Sequence, residues 1–185
     1  KERIVGGHPY NPVYLIPLVE LTRGQYATDE NVAKAKEFYL SVGKEPIVLN
    51  KEVPGFVCNR IQAAVNREAY DLVSNGVVSV EDVDKAVASS IGIRYAFIGP
   101  HLCGDLGGGP GGIAHLLTHV GATTKKWYED MAKWTERPAG YVDIAVAGVA
   151  EEYAHRAPET GQNREALQEY LNAGMIGVLK YKGKL

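Results

Sequence analysis

Residues 6–21 read GGHPYNPVYLIPLVEL. Two glycines precede a histidine, and Glu20 stands alone among Leu15, Ile16, Leu18, Val19 and Leu21. Apolar residues this dense over so few positions predict a buried strand at 14–21. An ionised carboxylate there is costly unless it has a partner, and the imidazole of His8, at the end of a preceding strand, is the obvious one. A His–Glu pair is a base with a fixed tautomer and a stabilised protonated form. The bland alternative puts His8 at a strand end and Glu20 on a solvent face. Sequence logic leaves both open at this point.

Working outward, an upstream strand is expected to end near Val5, and PIVLN, residues 46–50, to form a third strand. A helix between the last two is signalled by Thr28 and Asp29 as N-cap candidates. Val32, Ala35, Phe38, Tyr39 and Val42 follow at helical spacing, and Gly43 is its stop. A parallel pair across a helix implies more layers than these strands supply, so the rest of the sheet is expected upstream or from another chain. Lys1, which is no methionine, reads as a cut or processed start.

After Pro54 the pattern becomes helical. Val57, Ile61, Ala64, Val65, Ala69, Leu72 and Val73 form one broad stripe that Gly76 ends. Ser79 and Asp82 stand at capping-box spacing ahead of a second helix ending at Gly92. Further helices are expected near 112–120, 124–134, 140–157 and 163–179, with GDLGGGPGG, residues 104–112, as a flexible connection. The expected fold is mainly α: the last strands of a Rossmann-like domain at 1–52, then an all-helical domain at 53–185.

The 185 residues are 45% hydrophobic, enough for a buried core. Their 20 Lys and Arg against 22 Asp and Glu give no basic field for nucleic acid or an anionic membrane. No apolar run approaches the ~20 residues that span a bilayer. Cys58 and Cys103 form no C-x-x-C pair, so neither a disulfide framework nor a thiolate metal site is expected, and a reducing, cytoplasmic setting fits.

Lesser candidates are weighed on the same terms. His115 and His119 have the spacing of paired zinc ligands, yet HLLTH lacks the glutamate of metalloprotease motifs, and no metal is expected. Cys58 reads as a core thiol. Trp127, Tyr128, Trp134 and Tyr141 read as packing, within the subunit or between subunits. His101 falls in an expected loop and carries no signal.

Taken together, GGHPYNPVYLIPLVEL, KEVPGFVCNRI and GIRYAFIGP resemble the 3-hydroxyacyl-CoA dehydrogenase superfamily, beginning near the end of its nucleotide-binding domain. The resemblance is strong to about Pro100 and weaker after it, and it implies a helical domain of the 6-phosphogluconate-dehydrogenase type. It also implies His8 as catalytic base, Glu20 as its partner, and Asn59 as a donor to the substrate oxygen. A local reading of Asn59, satisfying backbone at a helix start, stands beside this. Arg94 in GIRYAFIGP is similar to the branch containing L-gulonate 3-dehydrogenase, lambda-crystallin and carnitine dehydrogenase. It implies a free carboxylate on a small 3-hydroxy acid in preference to a CoA thioester. A plain salt bridge is the alternative for that arginine.

The resemblance further implies NAD bound mainly by upstream residues, so that these residues alone are expected to be inactive. A homodimer through the helical domain is also implied. The rival from another class is a non-catalytic dimerisation module or crystallin-like structural protein that kept the scaffold.

Overall fold

The computed structural model describes residues 1–185, the side chain of Ala122 excepted. Its order is β1 (Val5–Pro9), β2 (Leu18–Arg23), α1 (Asp29–Ser41), β3 (Glu45–Val48), α2 (Cys58–Ser74), α3 (Val80–Ala88), α4 (Ile91–Tyr95), α5 (Pro100–Gly107), α6 (Gly112–His119), α7 (Gly121–Asp130), α8 (Tyr141–His155) and α9 (Arg164–Tyr181). The chain divides into two compact units, Lys1–Ala64 with Leu171–Leu185, and Val65–Tyr170.

The first unit is built on a sheet of order β1-β2-β3. Its central strand does not alternate: Val19, Glu20, Leu21 and Thr22 are all buried, as in a strand covered on both faces. β1 pairs with β2 antiparallel, and the register sets His8 directly opposite Glu20. β3 joins the other edge of β2 in parallel, reached across α1. Thr28 caps α1, its hydroxyl accepting from the Asn31 amide, and Asp29 and Glu30 follow in the first turn, where the helix dipole favours acids. The N-terminal signals in the sequence are thus the ones the helix uses. The closing segment is tied to the sheet by a 2.6 Å ion pair from Lys184 to Glu45.

The second unit packs α3 against α8 around Val73, Val83 and Tyr141, with Ala69, Tyr70, Val78, Val80 and Ala145 at its edge. Tyr70 and Tyr141 stack at 4.7 Å between centroids. One half of the expected capping box is present, the Asp82 amide donating to the Ser79 hydroxyl at 3.0 Å, and that hydroxyl donates in turn to the Asp82 carboxylate at 2.9 Å.

Several expectations are corrected. β1 starts at Val5 where a strand was expected to end, and β2 starts at Leu18, because the chain turns at 12–16, the Leu15 and Ile16 amides both donating to the Pro12 carbonyl. The second helix stops at Ala88, and IGIRY, residues 91–95, forms the separate α4. His101 lies in α5, whose first residue is Pro100, a position where the missing N–H is harmless. The glycine-rich stretch is no loose connection. It contains the end of α5 and a 3-10 turn, and a side chain at Gly108 would collide with the Gly112 carbonyl. Trp127 and Tyr128 are exposed on α7, while Trp134 donates to Asp71 at 2.9 Å and Tyr141 is buried. Among the described residues, no helix is long and apolar enough to cross a membrane.

One feature of the second unit opposes its stability. Loss of hydration, followed by the negative charge of Asp84, raises the Glu152 carboxyl, which also lies 3.5 Å from Arg156 and within the field of Glu81. Loss of hydration raises Asp84 likewise. A carboxyl raised in the folded state contributes most below its unfolded pKa, and that contribution is lost as pH climbs through the folded value. Asp84→Asn, which keeps a hydrogen-bonding side chain without the charge, should therefore raise the melting temperature at pH 7. The gain should vanish near pH ~3, where carboxyls are protonated in both states. An equal gain at both pH values would assign the effect to something other than this pair.

Candidate active site

The register of β1 against β2 places a histidine and a buried glutamate side by side on neighbouring strands. The Nδ1 of His8 lies 2.9 Å from a Glu20 carboxylate oxygen. Glu20 is fully buried, whereas the His8 side chain keeps 34% of its surface exposed. The carboxylate oxygen that His8 does not use accepts two backbone N–H groups, from Val57 at 2.8 Å and Cys58 at 3.1 Å. These amides belong to the start of α2, the helix end whose free N–H groups and dipole favour an anion. Glu20 is therefore not on a solvent face, and its charge has three donors.

These neighbours fix its protonation. Burial alone would push the carboxyl up, but the His8 hydrogen bond, the Cys58 and Val57 amides and the His8 charge together hold it below the usual glutamate value. An ionised carboxylate can only accept, so a neutral His8 must carry its proton on Nδ1, leaving a free lone pair on Nε2. That is a general base with its tautomer set by the fold. The same arrangement supports the imidazolium formed once Nε2 takes a proton.

The turn before α2 makes this possible. Gly55 and Phe56 both have positive φ, 78° and 50°, which swings the chain so that the next two amides meet Glu20. The Phe56 ring lies 5.1 Å from the His8 ring, tilted at 47°. Asn59 is the next residue after Cys58, in the first turn of α2, with an exposed side chain. The structure thus brings His8 and Glu20 into contact and sets Asn59 in the turn that holds Glu20. Arg94 belongs to the second unit, in α4, and is exposed there.

Sequence reasoning missed the amides of Val57 and Cys58, the Phe56 ring, and a 2.6 Å hydrogen bond from the Tyr10 hydroxyl to Gln62. The Pro-Gly pair ahead of Phe56 was the available signal of a tight turn. Burial, then the Cys58 and Glu20 charges, raises the Tyr10 hydroxyl. The Cys58 thiol is raised by burial and by Glu20, so it is kept protonated and is a poor nucleophile.

The other candidates lie elsewhere. His115 Nδ1 is 3.1 Å from the Gly108 carbonyl and its ring stacks on His119 at 5.3 Å. Among the described residues no group of three or more His, Cys, Asp or Glu is placed to hold a metal. The N-terminus of α6, after the glycine-rich turn, does not fit a pyrophosphate. The Asp105 carboxylate already accepts the Ile113 amide there at 2.9 Å, and its charge would repel phosphate.

Two family models match in succession. Residues 1–53 match the NAD binding domain of 3-hydroxyacyl-CoA dehydrogenase, and residues 55–140 match the C-terminal domain of the same enzyme. The chain belongs to the 3-hydroxyacyl-CoA dehydrogenase family. Within that family it is 41% identical over 97% of its length to a 3-hydroxyacyl-CoA dehydrogenase of Gibberella moniliformis, of which the alignment covers 49%. It is 39% identical over 99% of its length to an L-carnitine dehydrogenase of Streptomyces coelicolor, covering 55% of that protein. Among solved structures it is similar to 5-formyl-3-hydroxy-2-methylpyridine 4-carboxylic acid 5-dehydrogenase, an NAD+ dependent dismutase. That match has a TM-score of 0.74 and 27% identity, over 98% of this chain and 56% of that one. This family member thus spans about half the length of the relatives it matches.

Proposed function

We propose that the complete protein is an NAD-dependent dehydrogenase that oxidises the 3-hydroxyl of a small 3-hydroxy acid to the 3-oxo form. The observation that carries this reading is the buried Glu20 carboxylate held against Nδ1 of His8. NAD supplies the hydride acceptor. The α6 N-terminus, taken by Asp105, is not read as the site of its phosphates. Nε2 of His8 takes the hydroxyl proton as hydride leaves C3, so the alcohol loses two electrons and two hydrogens and becomes a ketone. Glu20 keeps the lone pair on Nε2 and stabilises the imidazolium. Asn59 donates to the oxygen as it becomes a carbonyl. In the reverse direction His8 is the acid.

For the substrate, Arg94 supports a free carboxylate, since a guanidinium can take it bidentately and a thioester offers none. The names of the relatives support the same class: L-carnitine is a free 3-hydroxy acid, and the structural neighbour acts on a pyridine carboxylic acid. A CoA thioester is the second reading, favoured by the 41% identity to the fungal 3-hydroxyacyl-CoA dehydrogenase. The chain is read as residues 1–52, the end of the NAD-binding domain, and residues 53–185, a helical domain. The complete protein is read as a cytoplasmic homodimer. Val142, Ile144, Val146 and Val149, all exposed on α8, supply apolar surface for self-association.

The test assays the complete protein with L-carnitine and with 3-hydroxybutyryl-CoA. Arg94→Ala should raise KM for the free acid by about tenfold or more, the worth of one charged hydrogen-bonded pair, and leave the thioester nearly unaffected. Equal effects on both would remove the free-acid reading, and oxidation of neither would remove the enzyme reading.

A further inference from the structure

The turn that carries the amides to Glu20 also carries an aromatic ring that lies against His8. Phe56 has φ 50°, in the left-handed region where a side chain normally has no reason to sit. A glycine would adopt that conformation without strain, so the ring must contribute something that outweighs the backbone cost. Its position shows what. The Phe56 and His8 centroids are 5.1 Å apart at 47°, within the range of a tilted aromatic contact. On another edge His8 is held through Nδ1 by Glu20. One hydrogen bond fixes a distance but leaves an imidazole free to pivot about the bond and about χ2, which is a broad torsion. A ring packed against the imidazole restricts that pivot.

We propose that Phe56 is a positioning residue for His8. Its backbone aims the Val57 and Cys58 amides at Glu20, and its ring fixes the plane of the imidazole, so that one residue sets both members of the dyad. The contact acts in the transition state, where Nε2 must point along the O–H bond, and hardly at all in substrate binding. This rests on the dehydrogenase reading, but it makes a separate claim about the ring.

Three variants of the complete protein separate ring from backbone. Phe56→Ala removes the ring and keeps the positive φ, Phe56→Gly removes the ring and relieves the φ, and Phe56→Tyr keeps the ring. The first two should lower kcat about tenfold with KM within twofold, short of the hundredfold that a 1 Å misplacement can cost. The third should restore kcat. The spectroscopic counterpart needs no substrate: the proton resonance of the His8 Nδ1–H bonded to Glu20, assigned by its loss in His8→Gln. It should broaden in Phe56→Ala and Phe56→Gly and stay sharp in Phe56→Tyr. Full kcat and a sharp resonance in Phe56→Gly would overturn the proposal, because the turn alone would then suffice. A kcat in Phe56→Tyr as low as in Phe56→Ala would overturn it too. If the small variants do not fold, Phe56→Leu, which keeps bulk without a flat face, takes their place under the same criteria. Turnover that survives His8→Gln removes His8 as the base, while the resonance still reports on the ring.

Discussion

Glu20→Gln in the complete protein is expected to lower kcat by about 10³-fold or more while leaving the fold in place. The amide oxygen of glutamine can still accept the Val57 and Cys58 amides, which now bond to one carboxylate oxygen. The NH2 group then takes the position of the oxygen that meets His8 Nδ1, 2.9 Å away. An NH2 group only donates, so a neutral imidazole must accept at Nδ1 and carry its proton on Nε2. The nitrogen that should take the substrate proton is then already protonated. The equivalent acid-to-amide change in a serine-protease triad costs about 10⁴ in kcat for the same tautomeric reason. KM should change far less, because Glu20 is fully buried and touches no substrate. A kcat within about threefold of the parent would mean that the carboxylate does not orient a base.

The same substitution carries a signature in stability. The folded Glu20 carboxyl sits below its usual value, burial being outweighed by His8 and the two amides. A depressed carboxyl contributes stability that is fully present above its unfolded pKa, about 4.3 for glutamate, and is lost as pH falls through the folded value. Glu20→Gln has no such proton to take up. Acid below about pH 4 should therefore unfold the parent more steeply than the variant.

How much of this was legible in the residues differs by kind of signal. α1 was legible from end to end, since Thr28, Asp29 and Gly43 are local signals and the helix uses them locally. The Ser79 cap on the Asp82 amide was legible for the same reason. The burial of Glu20 was half legible: the apolar run predicted a buried strand, but only the pairing register, which is non-local, puts His8 opposite it. The resemblance supplied that partnership where periodicity could not. α5 was hidden because its glycines are poor helix formers, and packing against α6, with Asp105 on the Ile113 amide, helps hold them there. Phe56 and the amides of Val57 and Cys58 were hidden because backbone donors leave no mark on a sequence. A phenylalanine with positive φ breaks the local rule that a reading of residues applies. That break falls at the candidate site, where tertiary demands override local preference.

If His8 moves the proton, His8→Gln should stop the reaction at that step. A glutamine NH2 can reach toward Glu20 and donate in place of Nδ1, so the buried carboxylate is not left short of a donor and the protein should fold. It has no basic nitrogen in place of Nε2, so what is lost is proton transfer itself, worth about 10²–10⁴ in rate for a positioned base. The measurement is single-turnover oxidation by the complete protein, with NAD saturating and whichever of L-carnitine or 3-hydroxybutyryl-CoA the parent turns over faster. A drop of about 10³-fold with substrate affinity within a few-fold is the predicted result. A rate within about threefold of the parent would contradict this role, leaving His8 and Glu20 as a structural pair and the proton to another group.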